Sequence, residues 1–198
     1  MKHNPGKRLM TIGLLLLAAA LALTAYNVWD ESRAERSALA AAEQLQQEPV
    51  VPLEEGEQPF YQLHPEMEMP TVEIDGRRYI GRVTIPVIGL DLPVLTEWSS
   101  ANGKIAPCRY KGSAYTGDLI IAGHNYRSHF GSLKNVAVGE EVLFTDVDGN
   151  VFSYRVAAME ILDGAAVEEM EAGEWDLSLF TCTYGGQTRL TLRCVEQG

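Results

Sequence analysis

Leu177-Ser178-Leu179-Phe180-Thr181-Cys182-Thr183-Tyr184-Gly185-Gly186-Gln187-Thr188-Arg189-Leu190-Thr191-Leu192 is the stretch on which the fold turns. It reads as two alternating strands around a Gly-Gly turn. Both central positions of a two-residue hairpin turn need positive φ, which glycine supplies without strain. In that register Tyr184 pairs with Gln187, Thr183 with Thr188, and Cys182 lies opposite Arg189. Directly opposite residues share a face, with Cβ atoms roughly 5 Å apart. A thiol therefore sits beside a guanidinium, and a cysteine near fixed positive charge is a candidate nucleophile. Leu177, Leu179, Thr181, Leu190, Leu192 and Cys194 form the face expected in the core. Ser178, Phe180, Cys182, Arg189, Thr191 and Arg193 form the other. The bland reading of a cysteine is a small buried hydrophobe, which suits Cys194 better than Cys182. A one-residue slip would exchange the two faces.

Working outward, Asp118–Gly123 reads as a buried strand. Tyr79–Val94 is a β-rich run broken by Pro and Gly. Glu141–Phe144, Val151–Ala157 and Glu160–Leu162 read as further strands, with a turn over Asp146–Asn150. Short turns of helix are expected near Ser132–Val136 and Ala165–Glu171. Repeated short strands with turn punctuation predict a mainly β barrel or sandwich.

The N-terminal third differs. Leu9–Val28 carries no charge, and about 20 apolar residues span a bilayer as a helix. Lys2, Lys7 and Arg8 precede it and Asp30 and Glu31 follow, which predicts a cytoplasmic N-terminus with the rest of the chain outside. The run exceeds a usual signal-peptide core and lacks a good cleavage pattern, which favours an uncleaved anchor. Asp30–Gln47 is rich in helix formers and reads as a solvated spacer helix. Glu48–Pro70, with its prolines and acids, reads as a linker. The expected organisation is a cytoplasmic N-terminus (1–8), a transmembrane anchor (9–28), an extracellular stalk (29–70) and a catalytic domain (71–198).

Composition excludes some functions. The net charge is −11 over 198 residues, with no basic run beyond the N-terminus, so a nucleic-acid partner is not expected. The three cysteines, Cys108, Cys182 and Cys194, show no Cys-x-x-Cys spacing, which argues against a zinc site. Asp146 and Asp148 read as turn residues, so neither a metal nor a cofactor is expected. Cys108 and Cys194 are expected as free thiols.

A cysteine nucleophile needs a proton donor for its leaving group. Of four histidines, His3 precedes the anchor and His64 lies in the linker. His124 sits where a buried strand gives way to a polar loop, a place from which a scaffold presents side chains. An equally good reading is a histidine held within its turn, with Asn125 as partner. His129 has the weaker claim, in what reads as a mobile loop.

Gly123-His124-Asn125, the Leu179-Phe180-Thr181-Cys182 run and Arg189 opening the next strand together resemble the sortases, membrane-anchored cysteine transpeptidases of mainly Gram-positive bacteria. Ile80-Gly81-Arg82-Val83-Thr84-Ile85-Pro86, Tyr110-Lys111-Gly112-Ser113 and Phe130-Gly131-Ser132-Leu133 extend the resemblance across roughly 71–195. It implies a closed eight-stranded sortase-type β-barrel with short helices, preceded by one transmembrane helix. It implies Cys182 as nucleophile, His124 as general acid and base, and Arg189 as oxyanion or substrate stabiliser. It implies exported proteins bearing a C-terminal sorting signal of the Leu-Pro-any-Thr-Gly type as substrates, and an amine such as a peptidoglycan precursor as acceptor. The expected site of action is the outer face of the cell membrane.

Arg193 competes with Arg189 for that role. It lies four residues further along, about 13 Å down the strand, paired with Ser178, and reads as a surface charge. The short Leu162–Leu177 connection leaves no room for the helical insertion of class B sortases. Gln58-Pro59-Phe60 only partly echoes the lid of pilin-polymerising sortases, so pilus assembly is not expected. Two other functions fit the same residues. One is a membrane-tethered Cys-His peptidase without transfer. The other is a non-enzymatic envelope-binding barrel, in which Cys182 would react with thiol reagents no faster than Cys108.

Overall fold

The computed structural model describes residues 5–47 and 58–197. Lys2, His3 and the 48–57 part of the expected linker lie outside the described residues. The chain divides into two compact units, Met1–Arg33 and Ala34–Gly198.

Helix α1, Pro5–Gln47, supplies the described residues of the first unit up to Arg33, and its 34–47 part belongs to the second. Among the described residues it is the one helix long and apolar enough to cross a membrane. Its two threonines within the apolar stretch hide their hydroxyls against the helix itself. Thr11 donates to the Lys7 carbonyl and Thr24 to the Ala20 carbonyl, each at 2.9 Å. Such back-bonding satisfies a hydroxyl where no water is available.

In the second unit eight strands close into a barrel. They are β2 (Arg77–Ile85), β3 (Leu90–Leu95), β4 (Cys108–Lys111), β5 (Leu119–Gly123), β6 (Glu141–Asp146), β7 (Val151–Asp163), β8 (Leu177–Cys182) and β9 (Thr188–Glu196). The circuit runs β2-β3-β4-β5-β8-β9-β7-β6 and returns to β2. The short strand β1, Val72–Ile74, pairs with the start of β2. Gly81 is the corner at which β2 leaves β1 and takes up β6. Its φ is +150°, and a Cβ there would lie 2.1 Å from the Thr145 carbonyl oxygen. Only glycine admits that approach, and the bulge beside it bends the strand as closure requires.

Alternation fills the interior. Leu177, Leu179, Leu192 and Cys194 are all fully buried, as the hairpin pattern predicts. Asp146–Asn150 is a turn, and Asp146 is buried within it. Its carboxylate accepts from the Tyr115 hydroxyl at 2.7 Å, from the Asn150 backbone N–H at 2.9 Å and from the Asn150 side-chain amide at 2.8 Å.

Three expectations change. First, β7 is one strand with a bulge near Val156–Ala158 rather than two. Second, the 34–47 part of α1 is no solvated spacer. Ala34, Ala38 and Ala41 are buried, with Ala38 and Ala41 in core clusters. Their i, i+4, i+7 spacing puts them on one helix face, and their small size lets the backbone approach. Third, packing begins ahead of residue 71. Met69 is buried, and Tyr61, on the short helix α2 (Phe60–Leu63), stacks on Tyr115 with centroids 4.6 Å apart.

Candidate active site

Sheet order brings the three candidate residues into a row. β5 and β8 are parallel neighbours, with Gly123 paired to Thr181. The next residue of each is His124 and Cys182, so both emerge at the same end of adjacent strands, where spacing is about 4.8 Å. On the other side of β8, antiparallel β9 pairs Arg189 with Cys182. Cys182 therefore occupies the middle position, and all three side chains are half-buried.

The hairpin reaches this register by another route than a two-residue turn. The Thr183 N–H donates to the Thr188 carbonyl at 3.0 Å, and the Gly186 N–H to the Thr183 carbonyl at 2.9 Å. Tyr184 and Gln187 belong to a four-residue loop and do not pair. Gly185 and Gly186 have φ of +90° and +72°, the positive values glycine permits. Thr183 still faces Thr188, so the pairing below the loop is that of the shorter turn.

His124 is held by its neighbours. The Phe130 N–H donates to its carbonyl at 3.2 Å, closing the loop after β5. The imidazole meets the Trp98 ring edge-on at 5.4 Å between centroids, and Tyr126 lies at 5.2 Å. Gly123 must lack a side chain because Phe130 packs over it, with a Cβ there lying 2.5 Å from the Phe130 ring. Arg189 is anchored by the hairpin loop. Its Nη1 donates to the Gly186 carbonyl at 2.8 Å and to the Thr188 carbonyl at 3.2 Å.

Cys182 and Arg189 open into a groove of about 170 Å³ on the outer face of the sheet. Trp98, Tyr110, Phe180, Val167 and Met170 line it beside Cys182 and Arg189. The Tyr110 and Phe180 rings meet edge to face at 5.4 Å. An apolar groove with a few convergent polar groups is the usual form of a ligand site. Trp98 does not stand out in the sequence. Its one signal is a large aromatic in the polar Trp98–Gly103 loop.

Two candidate residues fall elsewhere than expected. Arg193 is not a surface charge, being only 2% exposed. The β7–β8 connection passes over β9 and covers its outer face, which buries Arg193 and Thr191. His129 lies in no mobile loop and is fully buried. Burial, with the nearby His124 charge, pushes its pKa down to about 4. A histidine whose pKa is lowered by folding stabilises the fold above its unfolded value, near 6.5, and that contribution is lost as pH falls toward 4. The loss is on the order of 3 kcal/mol. Denaturation midpoints measured from pH 6.5 to 4 should fall less steeply for His129→Gln than for the wild type. An identical slope would place the acid sensitivity elsewhere.

The remaining cysteines suit the core. Cys108 and Cys194 are fully buried free thiols, and burial pushes both up to about 12.

Comparison with known proteins fits this geometry. The sortase domain profile matches residues 83–197. Sortase A of Bacillus anthracis is 26% identical over 121 residues, which cover 58% of this chain and 57% of the relative. The chain thus spans little more than half the length of that relative. A Clostridium perfringens sortase D5 transpeptidase superposes with a TM-score of 0.59 at 18% identity, over 84% of this chain and 99% of that one. Listeria monocytogenes sortase A superposes with a TM-score of 0.55 at 20% identity, over 61% of this chain and 88% of that one.

Proposed function

This chain belongs to the sortase family, and from that premise we propose that it is a membrane-anchored transpeptidase in which Cys182 cleaves sorting signals and passes the acyl group to an amine. The observation that carries the proposal is the row His124, Cys182, Arg189 across three adjacent strands, with Cys182 and Arg189 lining one groove.

In the first half-reaction the Cys182 sulfur attacks the threonine carbonyl of a Leu-Pro-any-Thr-Gly-like signal. The C–S bond forms as the Thr–Gly amide bond breaks. Protonated His124 gives its proton to the departing amine. Arg189 donates hydrogen bonds to the oxygen that gathers negative charge. In the second half-reaction an acceptor amine loses its proton to neutral His124 and attacks the thioester. The new amide forms and the thiolate is restored. The apolar groove supports a substrate presenting aliphatic side chains.

The test uses the full chain in detergent micelles with such a peptide, with and without an amine acceptor. A mass shift on Cys182 and an amine-dependent ligation product are expected. Hydrolysis alone, unaffected by the amine, would identify a peptidase. Labelling of Cys182 no faster than Cys108 would identify a binding barrel.

The same proposal places residues 1–8 in the cytoplasm, the 9–28 segment in the membrane, and 29–70 and the 71–198 catalytic domain outside, where sorting signals and cell-wall amines are found. Protease added to intact protoplasts should digest the barrel while a cytoplasmic marker survives. Protection of the barrel would reverse the orientation.

A further inference from the structure

The β7–β8 connection contains helix α3, Val167–Glu171, and two of its residues, Val167 and Met170, line the groove. A helix this short holds itself poorly, since the last four carbonyls of any helix lack partners within it. Two cations supply the missing hold. Arg193, on β9 beneath the connection, donates from Nη1 to the Met170 carbonyl at 2.8 Å and from Nη2 to the Glu169 carbonyl at 2.7 Å. Its remaining contacts are to side chains of the sheet. Nε donates to Glu160 at 3.0 Å, and Nη1 to the Ser178 hydroxyl at 3.0 Å. From the opposite side Lys111 on β4 reaches Glu171 at 2.5 Å. The segment that lines the groove is therefore fastened from β9 by Arg193 and from β4 by Lys111.

We propose that Arg193 is a positioning residue for the substrate, holding α3 at the distance from Phe180 and Tyr110 that fits the peptide, with Lys111 fastening the same segment from β4. Resting on the transpeptidase reading, this adds residues that touch neither substrate nor reacting atoms. Arginine suits the task because its planar fork meets two carbonyls, a hydroxyl and a carboxylate at once. Lysine, a single ammonium, cannot span them.

The experiment measures steady-state transpeptidation by the full chain in micelles, beside thermal midpoints and alkylation of Cys182 by iodoacetamide. Arg193→Lys should raise KM for the sorting peptide about tenfold, with kcat within about threefold and alkylation within about twofold of wild type. Glu160→Ala removes the Nε partner and lowers the midpoint, yet leaves both carbonyl bonds, so its KM should stay within about twofold. Lys111→Met should raise KM about threefold, the wild type converging on it as salt screens the exposed pair. A wild-type KM in Arg193→Lys overturns the proposal. So does an equal KM rise in Glu160→Ala, which would mean that lost stability alone is responsible. If Arg193→Lys fails to fold, Lys111→Met decides, and an unchanged KM there overturns the proposal. A wild type that turns over no sorting peptide defeats the transpeptidase reading instead. Amide exchange over 167–171 then decides the pinning: faster exchange in Arg193→Lys supports it, and unchanged exchange overturns it.

Discussion

Cys182→Ala should leave no detectable acyl-enzyme, with a loss of turnover of at least about 10⁴-fold. No neighbouring group can take over. Cys108 and Cys194 are fully buried, and burial holds their thiols up to about 12. Thr181 is buried, and the Thr183 hydroxyl is engaged with Thr188 at 2.6 Å. His124→Ala should keep the thiol but slow both proton transfers, costing about 10²–10⁴ in turnover. The two variants differ in what remains. His124→Ala should still form a slow adduct with the peptide, whereas Cys182→Ala should form none. Single-turnover acylation followed by mass spectrometry separates them. Near wild-type transpeptidation by either would remove its residue from the proposed chemistry.

Local signals in the sequence were enough to place Arg189 opposite Cys182, because hairpin register depends on a few consecutive residues. The loop has four residues rather than two, yet the register is the same, since Thr183 and Thr188 pair in either turn. His124 is a different case. It stands beside Cys182 only because β5 and β8 pair in parallel, a contact between distant parts of the chain that no local pattern encodes. There the family resemblance supplied what periodicity could not. Arg193 departs from its expected surface position for a related reason. Alternation correctly puts it on the outer face opposite Ser178. The connection that covers this face is set by topology, because β8 and β7 flank β9 and the chain must cross it. The alanines of α1 were legible in principle, since Ala34, Ala38 and Ala41 repeat at helical spacing. Small residues carry little hydrophobic signal, so the helix reads as a spacer until its partner is seen.

Arg189→Lys should lose about 10²–10³ in turnover, the usual cost of removing an oxyanion donor. The guanidinium is anchored through Nη1 on the Gly186 and Thr188 carbonyls, at 2.8 and 3.2 Å. That hold orients the fork, leaving Nη2 and Nε to meet charge developing next to Cys182. Lysine in the same place can satisfy the loop carbonyls or the oxyanion, but it lacks the planar geometry to do both. Cys182 should remain alkylated by iodoacetamide, and the thermal midpoint should move little because Arg189 is half-exposed. Arg193→Lys, by contrast, disturbs a buried cation with four partners, and should lower the midpoint and raise KM. The two arginines are thus told apart by the kind of defect. Arg189→Lys is a kcat variant of a stable protein, and Arg193→Lys is a KM variant of a weakened one. The decisive measurement is single-turnover acylation at saturating peptide beside a melting curve. An Arg189→Lys enzyme that acylates within about threefold of wild type would mean that the developing charge is stabilised by another donor. The pairing of Arg189 with Cys182 would then serve only to shape the hairpin.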